Sequence, residues 1–357
     1  MSEDLTIRNL PESCAGVTHW KPGSDETWHT AVQDLNEANL AQSPHWHTVI
    51  SKTYRHTPIY LTAQSASGNV AILPAFLLRS RLFGTVVTSM PFLDSGGPCS
   101  SSSDLTRLLT NTLIEEARQI GADFVEFRCS VPMELPVEPV TEKTSLLLPL
   151  TSNPESLWKT LDSKVRNQIR KAEREGISFE FGGLDKLQEF YEVFSFNMRD
   201  LGSPVHAKLF FATAFETFGG KIRIALVRKD CVAIGGLIAI EFKNTLMVPW
   251  ASTLGQFRSL CPNMLLYWET IKAACSEGFA EFDFGRSSRN SGTYRFKRQW
   301  GAIEKQLYWY TIPLNGKPVR RLSRSERRGA LLVQLWRHLP VGISRWLGPR
   351  IRRCLPQ

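Results

Sequence analysis

The sequence predicts an α/β protein made of two tandem copies of one unit, followed by a basic helical tail. Strand-like and helix-like patterns run in the same order through both halves of the chain. Residues agree as well: Val70-Ala71-Ile72 matches Val232-Ala233-Ile234 at an offset of 162, and Gly121 with Val125-Glu126-Phe127 matches Gly278 with Phe282-Asp283-Phe284 at an offset of 157. A period near 160 is the mark of duplication, although short apolar matches also arise between unrelated strand-helix-strand runs. A chain of 357 residues has room for two cores at the usual scale of about 150 residues per domain.

Residues 1–24 are polar and aperiodic, an irregular arm. In the first unit, 25–151, Asp25 can cap a helix reaching about Leu40, and Ser43-Pro44 suits the N-cap and first turn of another reaching about Thr53. Pro58 to Ala63 and Val70 to Leu78 read as a hairpin across Ser65-Ala66-Ser67-Gly68-Asn69, with Thr85 to Phe92 a third strand. Leu105, Leu108, Leu109, Thr112, Leu113 and Ala117 form the apolar stripe of a helix capped by Ser103 or Asp104 and ended by Gly121. Phe124 to Phe127 is the next strand, and residues 141–151 are expected to supply the last strand of this unit and the link onward.

The second unit, 152–313, repeats the plan. Helices Leu184 to Leu201 and about His206 to Phe218 precede strands Ile222 to Val227, Val232 to Ile240 and Leu246 to Ser252. A helix opened by Pro262 and ended by Gly278 leads into strand Phe282 to Phe284. Ahead of these, 162–176 spells a basic helix. Val165, Ile169, Ala172 and Gly176 make its packing edge, and Arg166, Arg170 and Arg174 align at i, i+4, i+8. Such a stripe either grips phosphates or is a solvated face partly neutralised by Glu173 and Glu175.

The stretch with most chemistry is Phe282-Asp283-Phe284-Gly285-Arg286-Ser287, followed by Tyr294-Arg295-Phe296-Lys297-Arg298-Gln299-Trp300. Gly285 breaks the alternation, so Asp283 and Arg286 belong at a strand end, where open α/β sheets place ligands. Phe296 and Trp300, four apart, face inward, with Lys297 and Arg298 turned toward the cleft. The same pattern also fits a buried Asp-Arg pair beside a solvated basic turn.

Composition excludes several classes. No run approaches the roughly 18–20 apolar residues of a membrane span, and Met1-Ser2-Glu3-Asp4 is acidic where a signal peptide is basic, so a cytoplasmic protein is expected. Seven scattered cysteines without C-x-x-C spacing argue against a disulfide framework or a zinc site, and no metal is expected. His45-Trp46-His47 alone is weak as a ligand pair.

Taken together, the basic Lys-Val-Arg-Asn-Gln-Ile-Arg-Lys-Ala helix, Phe282-Asp283-Phe284-Gly285 and Phe296-Lys297-Arg298-Gln299-Trp300-Gly301 resemble the FemAB family of aminoacyltransferases. Asn197-Met198-Arg199-Asp200-Leu201-Gly202-Ser203-Pro204-Val205, Pro249-Trp250-Ala251-Ser252 and Asn263-Met264-Leu265-Leu266-Tyr267-Trp268 are similar to its branch associated with PEP-CTERM exopolysaccharide clusters. The resemblance covers roughly residues 40–313 and implies two tandem GNAT-like acyltransferase domains. It further implies transfer of an acyl or aminoacyl group to an amine of a cell-wall or exopolysaccharide precursor. The donor would be aminoacyl-tRNA, or acyl-CoA or an acyl carrier, with no bound cofactor. The precursor, saccharide or peptidoglycan-type, can be lipid-linked. A non-catalytic GNAT-like module binding charged glycan or nucleic acid at the membrane is the alternative.

The family's motif lysine matches Lys297, implied to act near the reacting carbonyl or a substrate phosphate, and an ammonium there can stabilise an oxyanion. Asp283 is the candidate base, with Asp200 as second choice, unless pairing with Arg286 lowers its pKa. Arg199, Arg286 and Arg295 are candidates for an anionic group of substrate, as are Arg166 and Arg170 on the basic helix. Trp250, Ser252 and Tyr267 are candidates for substrate contact at the cleft, against the plainer reading of the aromatics as core or cleft wall. Gln256 to Asn263, ahead of the second unit's central helix, has no glycine, and Pro262 lacks an N–H. That departs from the pyrophosphate loop of acyl-CoA enzymes.

Residues 314–357 carry eleven Lys plus Arg against one acid, Glu326. The basic balance therefore belongs to the tail. Its apolar residues at helical spacing suit an interfacial helix on an anionic membrane surface through residues 318–357, a helix docked on the body, or tRNA contact.

Overall fold

Alternation builds the first sheet. In β2 (Thr57–Gln64) and β3 (Val70–Ser80), Ile59, Leu61 and Ala63 with Ala71, Leu73, Ala75 and Leu77 bury one face against helix 103–119, while Tyr60, Ile72, Phe76 and Leu78 enter a second core on the other face. The computed structural model describes residues 16–80, 84–316 and 327–355.

In chain order the first half holds β1 (Thr18–His19), α1 (Thr27–Asp34), α2 (His45–Tyr54), β2, β3, β4 (Gly84–Thr88), β5 (Cys99–Ser100), α3 (Ser103–Gln119), β6 (Phe124–Cys129) and β7 (Lys143–Pro149). The second holds α4 (Pro154–Thr160), α5 (Ser163–Arg174), β8 (Ser178–Gly182), α6 (Leu187–Asp200), α7 (Lys208–Phe218), β9 (Ile222–Lys229), β10 (Val232–Phe242) and β11 (Thr245–Thr253). It continues with α8 (Pro262–Ser276), β12 (Glu281–Ser288), α9 (Gly292–Arg298), β13 (Ile303–Gln306) and β14 (Tyr308–Pro313), and then α10 (Arg327–Arg337) and α11 (Val341–Arg352). The sheets run β1-β2-β3-β4-β6-β14, with β5 on β3, and β13-β7-β12-β11-β10-β9-β8.

The core is layered. α3 covers the outer face of the first sheet; α1, α2, α6 and α7 fill the space between the sheets; α4, α5 and α8 cover the outer face of the second. Trp28, Trp46, Phe190, Phe210 and Phe211 are fully buried in the middle layer, so the two copies share one apolar interior.

The expected role of 141–151 needs correction. β7 enters the second sheet between β13 and β12, and β14, from the far end of the second half, pairs antiparallel with β6 in the first. Each sheet takes one strand from the other half of the chain, an interior one in the second sheet and an edge one in the first. Thr85 to Phe92 is shorter than expected because Met90 (φ 49°) and Phe92 (φ 73°) turn left-handed after β4. The strand at Phe282 is longer, because Gly285 at φ 70° lets it bend and continue to Ser288. Of the irregular arm, residues 1–15 lie outside the described residues, and Thr18–His19 pairs with Thr62 and Leu61.

The tail packs on the body. Arg199 donates from Nη1 to the Leu339 carbonyl at 3.0 Å, and Arg345 from Nε to Ser195 Oγ at 2.7 Å. Gly202 lies beneath Val333 and Gly348 beneath Val205, so close that a Cβ at either would clash. Residues 318–326 and 356–357 of the expected membrane-binding segment, like residue 317 before it, lie outside the described residues. No helix among the described residues is long and apolar enough to cross a membrane.

Candidate functional site

Strands β11 and β12 run parallel, yet only Thr245–Met247 pair with Glu281–Asp283. Beyond that point β11 stays with β10 and β12 with β7, so the two part and leave an opening in the sheet. Backbone groups exposed there need other partners.

Side chains supply them. Asp283 Oδ1 accepts from the Gly285 amide at 2.7 Å and from Ser145 Oγ at 2.9 Å. Asp94, from the loop after β4, takes the Arg286 amide on Oδ2 at 2.8 Å and meets Arg286 Nε at 3.3 Å. Lys297 Nζ donates to the carbonyls of Gly285 and Arg286 at 2.9 and 2.8 Å. A Cβ on Gly285 would come within 3.2 Å of Asp94, in a left-handed backbone that already excludes most residues.

Electrostatics follow from burial. Desolvation pushes the Asp283 carboxyl up to about 6, against the hydrogen bonds from Gly285 and Ser145 that lower it. Desolvation also brings Lys297 down to about 8, opposed by the charges of Asp94 and Asp283. Oδ1 of Asp283 is fixed by two donors, whereas Oδ2 has no partner among the described residues. Two of the three ammonium protons of Lys297 are engaged, which leaves one. Arg286 Nη1 is buried without a hydrogen-bond partner, and so are Ser287 Oγ and Trp300 Nε1 close by in the chain. Buried polar atoms are nearly always satisfied, so the unpartnered Arg286 Nη1 is a group that an anion could engage. The arrangement offers a proton acceptor, a cation for developing negative charge, and a guanidinium for an anion.

The first copy has the same parting, between β4 and β6 after Thr88 and Glu126, but fills it. Gly96 and Gly97 donate their amides to the Arg128 carbonyl at 2.9 and 2.7 Å, and the buried Arg128 guanidinium bonds Glu126, Met90 O and Leu93 O. Trp309 carries both guanidiniums on its ring, Arg128 at 4.6 Å and Arg286 at 5.0 Å.

Lys297, Asp283 and Arg286 thus come together, with two corrections. Arg286 pairs with Asp94 rather than Asp283, and Lys297 is buried while its neighbour Arg298 is exposed, its Nη1 on the Ala302 carbonyl. Asp94 was missed by the sequence pattern; its signal is an acid in a Gly/Pro-rich loop at a strand end. The other candidates lie elsewhere. Arg199 pairs with Asp200 and ties down the tail. Arg166 bonds carbonyls of α4, and Arg170 lies over Trp158 at 5.5 Å. Trp250 is core between Trp46, His206, Phe210 and Phe211, and Ser252 accepts from Asn197. Tyr267 packs under Phe284, Phe296 and Trp300, directly behind the site, and burial pushes its hydroxyl well up. Arg295 is exposed and bonds the Asn290 carbonyl. His45 and His47 pack on Phe218 and Tyr60, and no group of three His, Cys, Asp or Glu gathers as a metal site among the described residues.

A cleft of about 720 Å³ lies apart, between α1 and the β2–β3 turn, lined by Glu26, Asp34, Glu37 and Asn69. It contains none of these residues, and the ionisable groups held at the parted strands make the stronger site.

A family model described as an acetyltransferase (GNAT) domain matches residues 161–298, from the start of α5 to the end of α9. No curated protein matches the sequence. Among solved structures, FemX aligns with a TM-score of 0.62 at 12% identity, covering 84% of this chain and 98% of its own. A tandem GNAT protein from the clavulanic acid biosynthesis pathway aligns at 0.54 and 11% identity, covering 85% and 99%. The fold is a tandem GNAT fold. L-PGS from Bacillus licheniformis also aligns, at 0.51 and 13% identity, covering 88% and 97%. At these identities the likeness is one of fold.

The contribution of Asp94 is testable. Asp94→Ala should leave the half-buried Arg286 guanidinium without its ion pair and lower stability by about 1–3 kcal/mol in urea unfolding. A variant as stable as the parent would reduce Asp94 to a surface group.

Proposed function

We propose that this tandem GNAT protein transfers an acyl group, carried as an aminoacyl ester on tRNA, to an amine of a saccharide or peptidoglycan-type precursor. The observation that carries the reading is the asymmetry of the two copies: the strand opening is plugged by Arg128 in the first and lined by Asp283, Arg286 and Lys297 in the second. In it, Asp283 Oδ2 takes the proton of the attacking amine and returns it to the tRNA ribose oxygen, which leaves as the ester C–O bond breaks. The free N–H of Lys297 faces the carbonyl oxygen as it becomes negative, a term that often dominates acyl transfer. Arg286 holds an anionic group of one substrate.

Two features favour tRNA over acyl-CoA. The N-terminus of α8 opens on Cys261 at φ 58° and on Pro262, so its first turn lacks an amide that a pyrophosphate would use. Beside α8 packs α5, whose Lys164, Arg170 and Arg174 are exposed.

Incubation with labelled aminoacyl-tRNA and, separately, labelled acyl-CoA should move label to an amino-bearing saccharide or muropeptide acceptor from the first alone. Arg170→Gln with Arg174→Gln should raise the KM for charged tRNA about 3- to 10-fold and flatten its salt dependence, with kcat unchanged. Label arriving only from acyl-CoA would overturn the choice of donor; label from neither would overturn the activity.

A further inference from the structure

We infer that the outer face of the α10–α11 pair is a docking surface for an anionic lipid bilayer. Five of the eleven large apolar side chains exposed among the described residues fall in this short segment: Leu331, Leu332, Leu335, Ile343 and Trp346, the last 62% exposed. They are not unfinished packing against the body. The inner face is already occupied by Trp336, Ser344 and Gly348, which are buried, and by Val333 over Gly202. Leu331 and Leu335 are one turn apart on α10, and Ile343 and Trp346 lie at i, i+3 on α11.

Charge selects the occupant. Residues 327–355 hold seven arginines and no acid. Arg345 and Arg352 turn inward to Ser195 and His206, whereas Arg337, Arg350 and Arg353 are exposed. Arg350 lies over the Trp346 ring at 4.1 Å, an aromatic–cation pair of the kind that seats at a headgroup layer. Apolar side chains interleaved with cations on two helices anchored from behind match an anionic leaflet, into which the rings and leucines insert while guanidiniums meet phosphates. A polynucleotide would use the arginines and leave five apolar groups in water. A second copy of this chain would bring arginine against arginine.

The test is cosedimentation of the full chain with vesicles rich in phosphatidylglycerol and with vesicles of phosphatidylcholine alone. Binding should be about tenfold or more stronger to the anionic vesicles, falling with salt. Leu331→Ser with Leu335→Ser and Trp346→Ser should lower it about tenfold or more with an unchanged thermal melt, since these side chains are exposed. Arg337→Gln with Arg350→Gln and Arg353→Gln should remove the preference for anionic lipid. No vesicle binding, equal binding to both compositions, or binding untouched by the apolar variant would overturn the proposal. So would a dimer, seen by sedimentation, that the apolar variant abolishes in a protein that ignores vesicles. None of these readouts depends on acyl transfer, so the surface and the reaction stand or fall separately.

Discussion

Asp283→Asn should lower acyl transfer by about 10²- to 10⁴-fold while the protein still folds. The amide oxygen of Asn can still accept from Gly285 N and Ser145 Oγ, the two donors that hold Oδ1. What disappears is a carboxylate oxygen able to take a proton. In the parent, activity should rise with pH through about 6, where the buried carboxyl ionises, and the variant should lose that limb. Stability gives an independent sign. Asp283 binds its proton more tightly in the folded chain than in the unfolded one, so this group favours folding as pH falls from about 6 toward its ordinary range, and its ionisation above 6 works against the fold. Relative to the parent, Asp283→Asn should therefore gain stability at pH 8 and not at pH 4. Parental turnover with an unchanged acid limb would remove Asp283 from the reaction.

Lys297→Met should abolish measurable transfer without unfolding the protein. Losing the ammonium strands two buried carbonyls, at about 1–3 kcal/mol each. Against this, bringing the amine from its ordinary 10.5 to about 8 reflects roughly 3 kcal/mol of unfavourable charge burial that the variant relieves. The two effects are of similar size, so the fold survives and lost activity reports on chemistry. The parent's activity should fall above about pH 8 as the ammonium deprotonates. With Asp283 and Lys297 close enough to influence each other, the two limbs of the bell belong to the pair. A Lys297→Met enzyme that still transfers acyl groups would make the lysine a brace for the Gly285–Arg286 turn and nothing more.

Local pattern revealed the elements but not their assignment to sheets. Period-two runs such as Val70 to Leu78, and the stripe from Leu105 to Ala117, announce their structure because one face of each is buried. Lys143–Pro149 also reads as a strand, yet nothing in its own residues says that its partners are Glu281–Ser288 and Ile303–Gln306, which lie far along the chain. β5, β8 and β13 are too short or too exposed for alternation to show.

The site divides in the same way. Asp283, Arg286 and Lys297 are legible because one short stretch contains them. Asp94 is not, because it arrives from the other copy through a loop shaped by Met90 and Phe92. The arginines of α5 and α6 look alike in sequence. Only packing distinguishes Arg199, spent on the Leu339 carbonyl, from Arg170, left at the surface.

The reciprocal loan of β7 and β14 bears on how the protein is made. The strand that completes the edge of the first sheet is made last, ending at residue 313, and the second sheet includes a strand synthesised before the rest of it. A cut between the halves would leave one fragment with a bare β6 and the other without an interior strand. Neither is a self-sufficient domain, and the nascent chain must keep β6 from pairing with strangers until its own C-terminal partner emerges.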